Sequence, residues 1–246
     1  MNTKYRSVYL PYRTWKEVQE YLKASDEVIV PVGANEQHGP SCPLITDALL
    51  AQHIALEVGL QASVLVGPTI PVGDSLIHLG FAGTISLKPS TLLLVIRDYV
   101  TSLYKSGFRR FLVVDGHADN LGIVFAAFSE LGEELSQLRY EVRDFWDFSS
   151  FRKIMQEAFG DRRGGHADAT DASLLLAIDE SLVHKELLAS EYPKVEYRIS
   201  RDLVSELYTT SGVIHADQRM ASKETGERLL QETVKGYLDL LQHLRN

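Results

Sequence analysis

Eight side chains able to bind a divalent cation or move a proton fall into three short clusters. Glu36, His38 and Asp47 lie within VPVGANEQHGPSCPLITD, His117 and Asp119 within FLVVDGHADN, and His166, Asp168 and Asp171 within GGHADATDAS. Imidazoles mixed with carboxylates suit zinc, manganese or iron, and a carboxylate, unlike an imidazole, can bridge two cations. A water held at such a centre ionises near neutral pH, so hydrolysis is the chemistry to expect. Thiolates are nearly absent. The single cysteine, Cys42, excludes an internal disulfide and a closed cysteine-rich zinc site.

Those clusters need a frame that delivers them to one place. EVIVPVG and RRFLVVDG read as short buried strands, each running straight into a cluster. Helical patterns lie between them. Trp15, Val18, Tyr21 and Leu22 recur at helical spacing after Thr14, an N-cap residue. DALLAQHIALEVG is helical with Gly59 as its stop, and PSTLLLVIRDYVTSLYKSG opens at Pro89 and closes at Gly107. Another helix starts near Asn120. The tail from about Ala221 is amphipathic, with Leu229, Leu230, Val234, Tyr237 and Leu241 on its apolar side. SVLVGPTIPVG is β-like but broken by turn residues, and RYEVRDFWDF alternates as a strand would. This alternation predicts an α/β fold: a single domain over residues 1–246, with a mostly parallel sheet flanked by helices on both faces. Ligands bind at the carboxyl ends of such strands, so both loops should reach the same edge.

The formal net charge is −8, with the acids dispersed along the chain. That balance disfavours nucleic acid and anionic membrane, which call for a basic face. The start, MNTKYRSVYLPYR, lacks an apolar signal region, and no apolar run approaches the ~20 residues of a membrane span. A cytoplasmic protein acting on a small molecule is the expectation.

Longer matches narrow the chemistry. PVGANEQHGPSCPLITD resembles the P-x-G-s-x-E-Q-H-G-p-H-L-P-l-x-T-D signature of the creatininase family. GDSLIHLGFAGTISL resembles that family's serine–histidine segment and its F-x-G-T-i-S-L strand. FLVVDGHADN is similar to its N-G-H-x-x-N loop, GGHADATDAS to its H-a-G-x-x-E-T-S segment, and SGVIHADQRMASKETGERLL to the start of its C-terminal helix. The resemblance implies a creatininase-like fold, a homohexamer, and an amidohydrolase using two divalent ions per chain, zinc or manganese, with iron also admitted. Asp47 would bridge the metals, with Glu36 and His117 completing one site and His38 and Asp119 the other. Asp119 stands where creatininase itself has a glutamate, one methylene longer. Hydroxide generated on the metals would attack the carbonyl, with His166 as the proton shuttle. Asp171 would orient His166 or reach the metals through a ligand. Ser75 aligns with a serine beside the substrate, and Trp146 with a tryptophan that walls the pocket.

The departures from the family pattern bear on the substrate. Arg162, followed by Arg163, replaces a lid tryptophan, Ala118 replaces a tyrosine, and Ser41-Cys42 replaces a histidine-leucine pair. A flat aromatic slot is lost, and guanidinium groups suit a carboxylate or phosphate. The expected substrate is therefore a small polar, anionic amide (cyclic, formamide or peptide-like) rather than creatinine. Several residues also admit plainer roles. Asp47 could cap the following helix, Asp119 the helix from Asn120, and Asp168 could be a first-turn acid. His78 could be a buried, hydrogen-bonded histidine, and Cys42 a small core filler. Ala118, Ser41 and Gly165 leave open an alternative: a non-catalytic member serving as a metal-binding assembly or regulatory subunit.

Overall fold

The computed structural model describes residues 3–162, 164–193 and 209–246. Strand β1 (Glu27–Val32) is buried along its whole length. Its side chains alternate: Val28, Val30 and Val32 join one core, and Ile29 the other. Strand β3 (Arg110–Asp115) repeats this, with Phe111 and Val113 on the first side and Leu112 and Val114 on the second. A strand covered on both faces needs an apolar residue at every position, so each reads in sequence as an unbroken hydrophobic run.

These two strands form the centre of a parallel sheet. β1 pairs with β2 (Leu65–Val66) and with β3, and β3 pairs with β4 (Arg139–Asp144), in the order β2-β1-β3-β4. Val32 lies opposite Asp115, and Asp115 opposite Asp144, so three strands end level. The loops that follow them therefore leave from one edge, as the sequence predicts. One face is covered by α2 (Thr46–Ala62), α5 (Ser149–Phe159), α6 (Ala169–Ile178) and α7 (Lys223–Arg245). The other carries α1 (Trp15–Tyr21), α3 (Pro89–Ser106) and α4 (Leu121–Glu134).

Most helix ends follow their sequence signals. Thr14 and Glu17 form a reciprocal capping box on α1, and α3 begins at Pro89 and stops at Gly107. The end of α2 differs. It runs past Gly59 to Ala62 and is closed by Ser63 in the left-handed conformation, at φ 57°. Gly59 instead makes room for the Val66 side chain and the Val64 carbonyl, so it is a packing glycine and not a stop. A short antiparallel pair, β5 (Ser190–Glu191) with β6 (Ala216–Asp217), lies outside the sheet. No described helix is long and apolar enough to cross a membrane.

Candidate metal centre

The loop after β1 is closed by a backbone bond from Glu36 to the Leu44 carbonyl, 2.9 Å, and carries Glu36 and His38. Their environment is dry: Glu36 is 1 % exposed, His38 2 % and Asp47 3 %. The Nδ1 of His38 lies 3.1 Å from the Glu36 carbonyl, which can only accept, so Nδ1 carries the hydrogen. Nε2 then faces Asp47 Oδ1 at 2.9 Å. His117, just beyond β3, is fixed the same way from the other end: Nε2 donates to the Asp74 carbonyl at 2.6 Å. Its Nδ1 lies 3.1 Å from Asp47 Oδ2 and 3.4 Å from Glu36 Oε1.

Neutral, these rings would turn lone pairs toward carboxylate oxygens, and acceptor would face acceptor. A buried contact of that kind requires a positive charge between its members. Glu36 Oε2 and Asp47 Oδ2 are buried without a hydrogen-bond partner among the described residues. Part of that charge can come from protons. Burial pulls His38 down, but Asp47 outweighs it and pushes the ring up to about 10. His117 is likewise raised, by Glu36 and Asp47 against burial. Burial alone would raise Asp47, yet the two imidazoles hold it well below the usual carboxylate range. Burial pushes Glu36 up to about 7. Donor atoms of Glu36, His38 and Asp47 lie within 4.8 Å of one another, as do those of Glu36, His78 and His166. Mixed nitrogen and oxygen donors at this spacing fit divalent cations.

Asp47 sits in the first turn of α2 but does not cap it; Ile45 holds the N-cap position and makes no side-chain cap bond. Its carboxylate is thus free for the centre. Asp168, in contrast, is the N-cap of α6, accepting from Thr170 and Asp171 amides at 2.6 and 3.3 Å. Asp171 returns the bond through Oδ2 to the Asp168 amide, 3.1 Å, and lines the cavity. Burial and the Asp168 charge push it up to about 8. No hydrogen bond joins Asp171 to His166 among the described residues.

His166 is partly buried and held by its backbone against Ile214, with bonds of 3.0 and 3.1 Å on either side. Ala167, next in the chain, takes a positive φ of 52°, a strained conformation that costs on the order of 1 kcal/mol in a non-glycine residue. The His166 Nδ1 lies 3.6 Å from Glu36 Oε1. Burial, then His78 and His38, keep this ring well below its ordinary value, so it is neutral.

His78 is buried and hydrogen-bonded, as its plainer reading predicts, and it also lies within the site. It stacks on His166 with ring centroids 4.1 Å apart and planes at 21°, and its Nε2 is 3.8 Å from Glu36 Oε1. In GDSLIHLG the nearest acid, Asp74, lies four positions back, and only the place of His78 within a matched segment draws notice to it. Ser75 is fully buried, its hydroxyl unpartnered among the described residues. Trp146 stacks on Phe145 at 3.9 Å and, with Ile77, Met155 and Ile214, walls a cavity of about 230 Å³.

Other expected residues lie farther out. Ala118 and Asp119 are exposed at the cavity mouth, and Asp119 belongs to neither close donor group among the described residues. The alternative for Asp119 as a helix cap is not seen: Asn120 precedes α4, without a side-chain cap bond. Arg162 is exposed and outside the lining. It acts instead on Asp217, whose carboxyl Arg219 and then Arg162 hold low. Arg163 lies outside the described residues. Ser41 donates to Gln218 Oε1 at 2.8 Å, and Gln218 Nε2 donates to the His38 carbonyl at 3.1 Å, so this serine braces the loop. Burial pushes the Cys42 thiol up to about 12, as befits a packed filler.

A parallel α/β sheet with buried carboxylates and imidazoles at its carboxyl edge is the frame of a metal-dependent hydrolase. The family model for creatininase, described as creatinine amidohydrolase, matches residues 11–241, and the chain belongs to that family of hydrolases acting on carbon–nitrogen bonds. It is 28% identical over 255 residues to the creatinine amidohydrolase of Pseudomonas putida, covering 96% of this chain and 97% of the relative. It is 31% identical over 224 residues to the mycofactocin precursor peptide peptidase of Mycolicibacterium smegmatis, covering 87% and 84%. Two solved creatininase structures, a manganese form and a mutant of Zn-Zn type, superpose with a TM-score of 0.88. Each is 26% identical, with 96% of this chain and 98% of that chain covered.

Proposed function

We propose that the chain is a dinuclear metal-dependent amidohydrolase that cleaves the C–N bond of a small polar amide. The observation that carries this reading is Asp47, whose two buried oxygens face nitrogens of His38 and His117 at 2.9 and 3.1 Å. In this reading Asp47, Glu36 and His117 would hold one cation and Asp47 and His38 the other, with Asp119 at the mouth as a further donor. Bound there, two divalent ions, zinc or manganese, would supply the Lewis acidity that activates water and polarises the amide carbonyl.

The chain's own residues do the rest. His166 is neutral and turns Nδ1 inward, where it takes a proton and returns it to the departing nitrogen. Asp171, tied to the start of α6, keeps a carboxyl group facing the cavity. Ile77, Trp146, Met155 and Ile214 shed water from the walls. The described lining has no lysine or arginine. The cavity therefore receives the amide itself, and the preference for anionic substrates expected from Arg162 and Arg163 would act at its mouth.

Metal analysis combined with a screen of cyclic amides, formamides and short acidic peptides tests this. About two zinc or manganese ions per chain are expected, with activity lost on chelation and restored by either metal. Asp119→Ala should lower the stoichiometry toward one. Full activity after chelation overturns the proposal, and an unchanged Michaelis constant in Arg162→Ala removes the anionic preference.

A further inference from the structure

Gln37 stands between Glu36 and His38, yet its side chain points away from both. Backbone groups fix its amide. Oε1 accepts from the Gly39 N–H at 2.9 Å, and Nε2 donates to the Gly212 carbonyl, also at 2.9 Å. An N–H can only donate and a carbonyl can only accept, so the amide has one orientation. Its second Nε2 hydrogen then meets His78 Nδ1 at 3.3 Å, and that nitrogen must accept. Neutral His78 therefore carries its hydrogen on Nε2, the atom turned toward Glu36. The backbone carbonyl of the same glutamine accepts from His166 Nε2 at 2.8 Å. The lone pair of His166 thus lies on Nδ1, turned toward the same Glu36 oxygen.

We propose that Gln37 is a positioning residue that sets which ring atom each of two stacked histidines offers to the site: an N–H from His78 and a lone pair from His166. His78 then turns an N–H toward the Glu36 carboxylate, 3.8 Å away, while His166 alone turns a lone pair toward it. One residue sets both, through its side chain for the first ring and its main chain for the second. Its far anchor is also secured. Gly212 has φ 84°, and a Cβ there would lie 1.8 Å from Gln37 Oε1, so only glycine permits this approach. The turn before it is gripped by the Glu191 carboxylate, which accepts from the Thr209 hydroxyl, the Thr210 amide and the Ser211 amide at 2.8 Å each.

The consequence for proton transfer rests on the hydrolase reading; the ring assignment does not. Imidazole ¹⁵N spectra of the full chain loaded with zinc alone separate the two. In the wild type, His78 and His166 should each show a protonated Nε2 and an unprotonated Nδ1. Gln37→Glu replaces the donor with an acceptor, so His78 should switch to a protonated Nδ1 while His166, held by a main-chain carbonyl, keeps its form. Zinc content should stay at the wild-type level. A wild-type His78 protonated at Nδ1, or a His78 signal indifferent to Gln37→Glu, overturns the proposal. Should that variant fail to fold, the wild-type spectrum still decides, and Gln37→Met, which removes the donor without adding charge, should raise the Nδ1-protonated share of His78 above that of the wild type. Correct ring forms in a protein that hydrolyses no amide would sink the hydrolase reading and leave this assignment intact.

Discussion

Glu27 and Glu36 stand at opposite ends of β1, and both are buried. Glu27 accepts from two nitrogens of Arg245, at 2.7 and 2.9 Å, and lies 3.6 Å from Arg110. Glu36, with Asp47 beside it, meets imidazoles and retains an oxygen without a partner among the described residues. A buried carboxylate costs several kcal/mol unless a positive charge accompanies it. At the amino end of the strand the polypeptide supplies that charge as guanidinium. At the carboxyl end it supplies imidazoles and a second carboxylate, a donor set suited to a cation. The same residue type is structural in one place and suited to chemistry in the other, and the counter-ion decides which.

The largest test of this contrast is Asp47→Ala. Bound zinc or manganese should fall below one ion per chain and amide hydrolysis should vanish, while circular dichroism reports an intact fold. Metal retained at the wild-type level would break the comparison. Next comes His166→Ala, for which a loss of about 10²–10⁴-fold in turnover is expected from removal of a proton carrier, with metal content unchanged; a matching loss of metal would make His166 a ligand instead. Arg245→Met strikes the other end of β1. Denaturant titration should show a loss of about 2 kcal/mol, a reduced cost because this guanidinium is half-exposed and screened. Activity and metal content should hold.

The smallest effect concerns Glu191. Burial tends to raise its carboxyl, but hydroxyl and amide donors from Ser211, Thr210 and Thr209 outweigh it and hold it at about 2, below its ordinary 4.5. A folded value below the unfolded one means that the stabilisation is complete above the ordinary value. It then fades as pH falls toward the folded value. The thermal midpoints of wild type and Glu191→Gln should therefore differ near neutrality and converge between about pH 4.5 and 2. A pH-independent difference would show that the carboxylate charge does not grip the turn.

The same contrast explains what could be read in the sequence. β1 and β3 were legible because helices cover both their faces and no polar position interrupts them. Glu36, His38 and His117 were legible because each follows such a strand directly. β5 and β6 were not, since two-residue strands carry no periodicity and their pairing depends on segments far apart in the chain. His78 and Gln37 escaped for a related reason. Their roles depend on an amide oriented by Gly39 and by Gly212, a residue 175 positions away. Arg162 shows another limit: its alignment with a lid tryptophan suggests substrate contact, whereas its turn, Gly160–Arg162, leaves it exposed and outside the cavity lining, with its charge felt by Asp217. Asp168 reads as a first-turn acid until its amide partners identify it as the cap of α6.

The bond between Gln37 and Gly212 and the backing of His166 by Ile214 have a consequence for biosynthesis. Glu36, His38, Asp47 and His117 leave the ribosome first; Gly212 and Ile214 follow roughly a hundred positions later, about 5–20 s at ordinary elongation rates. A nascent chain therefore possesses the proposed cation donors before it possesses the segment that backs His166.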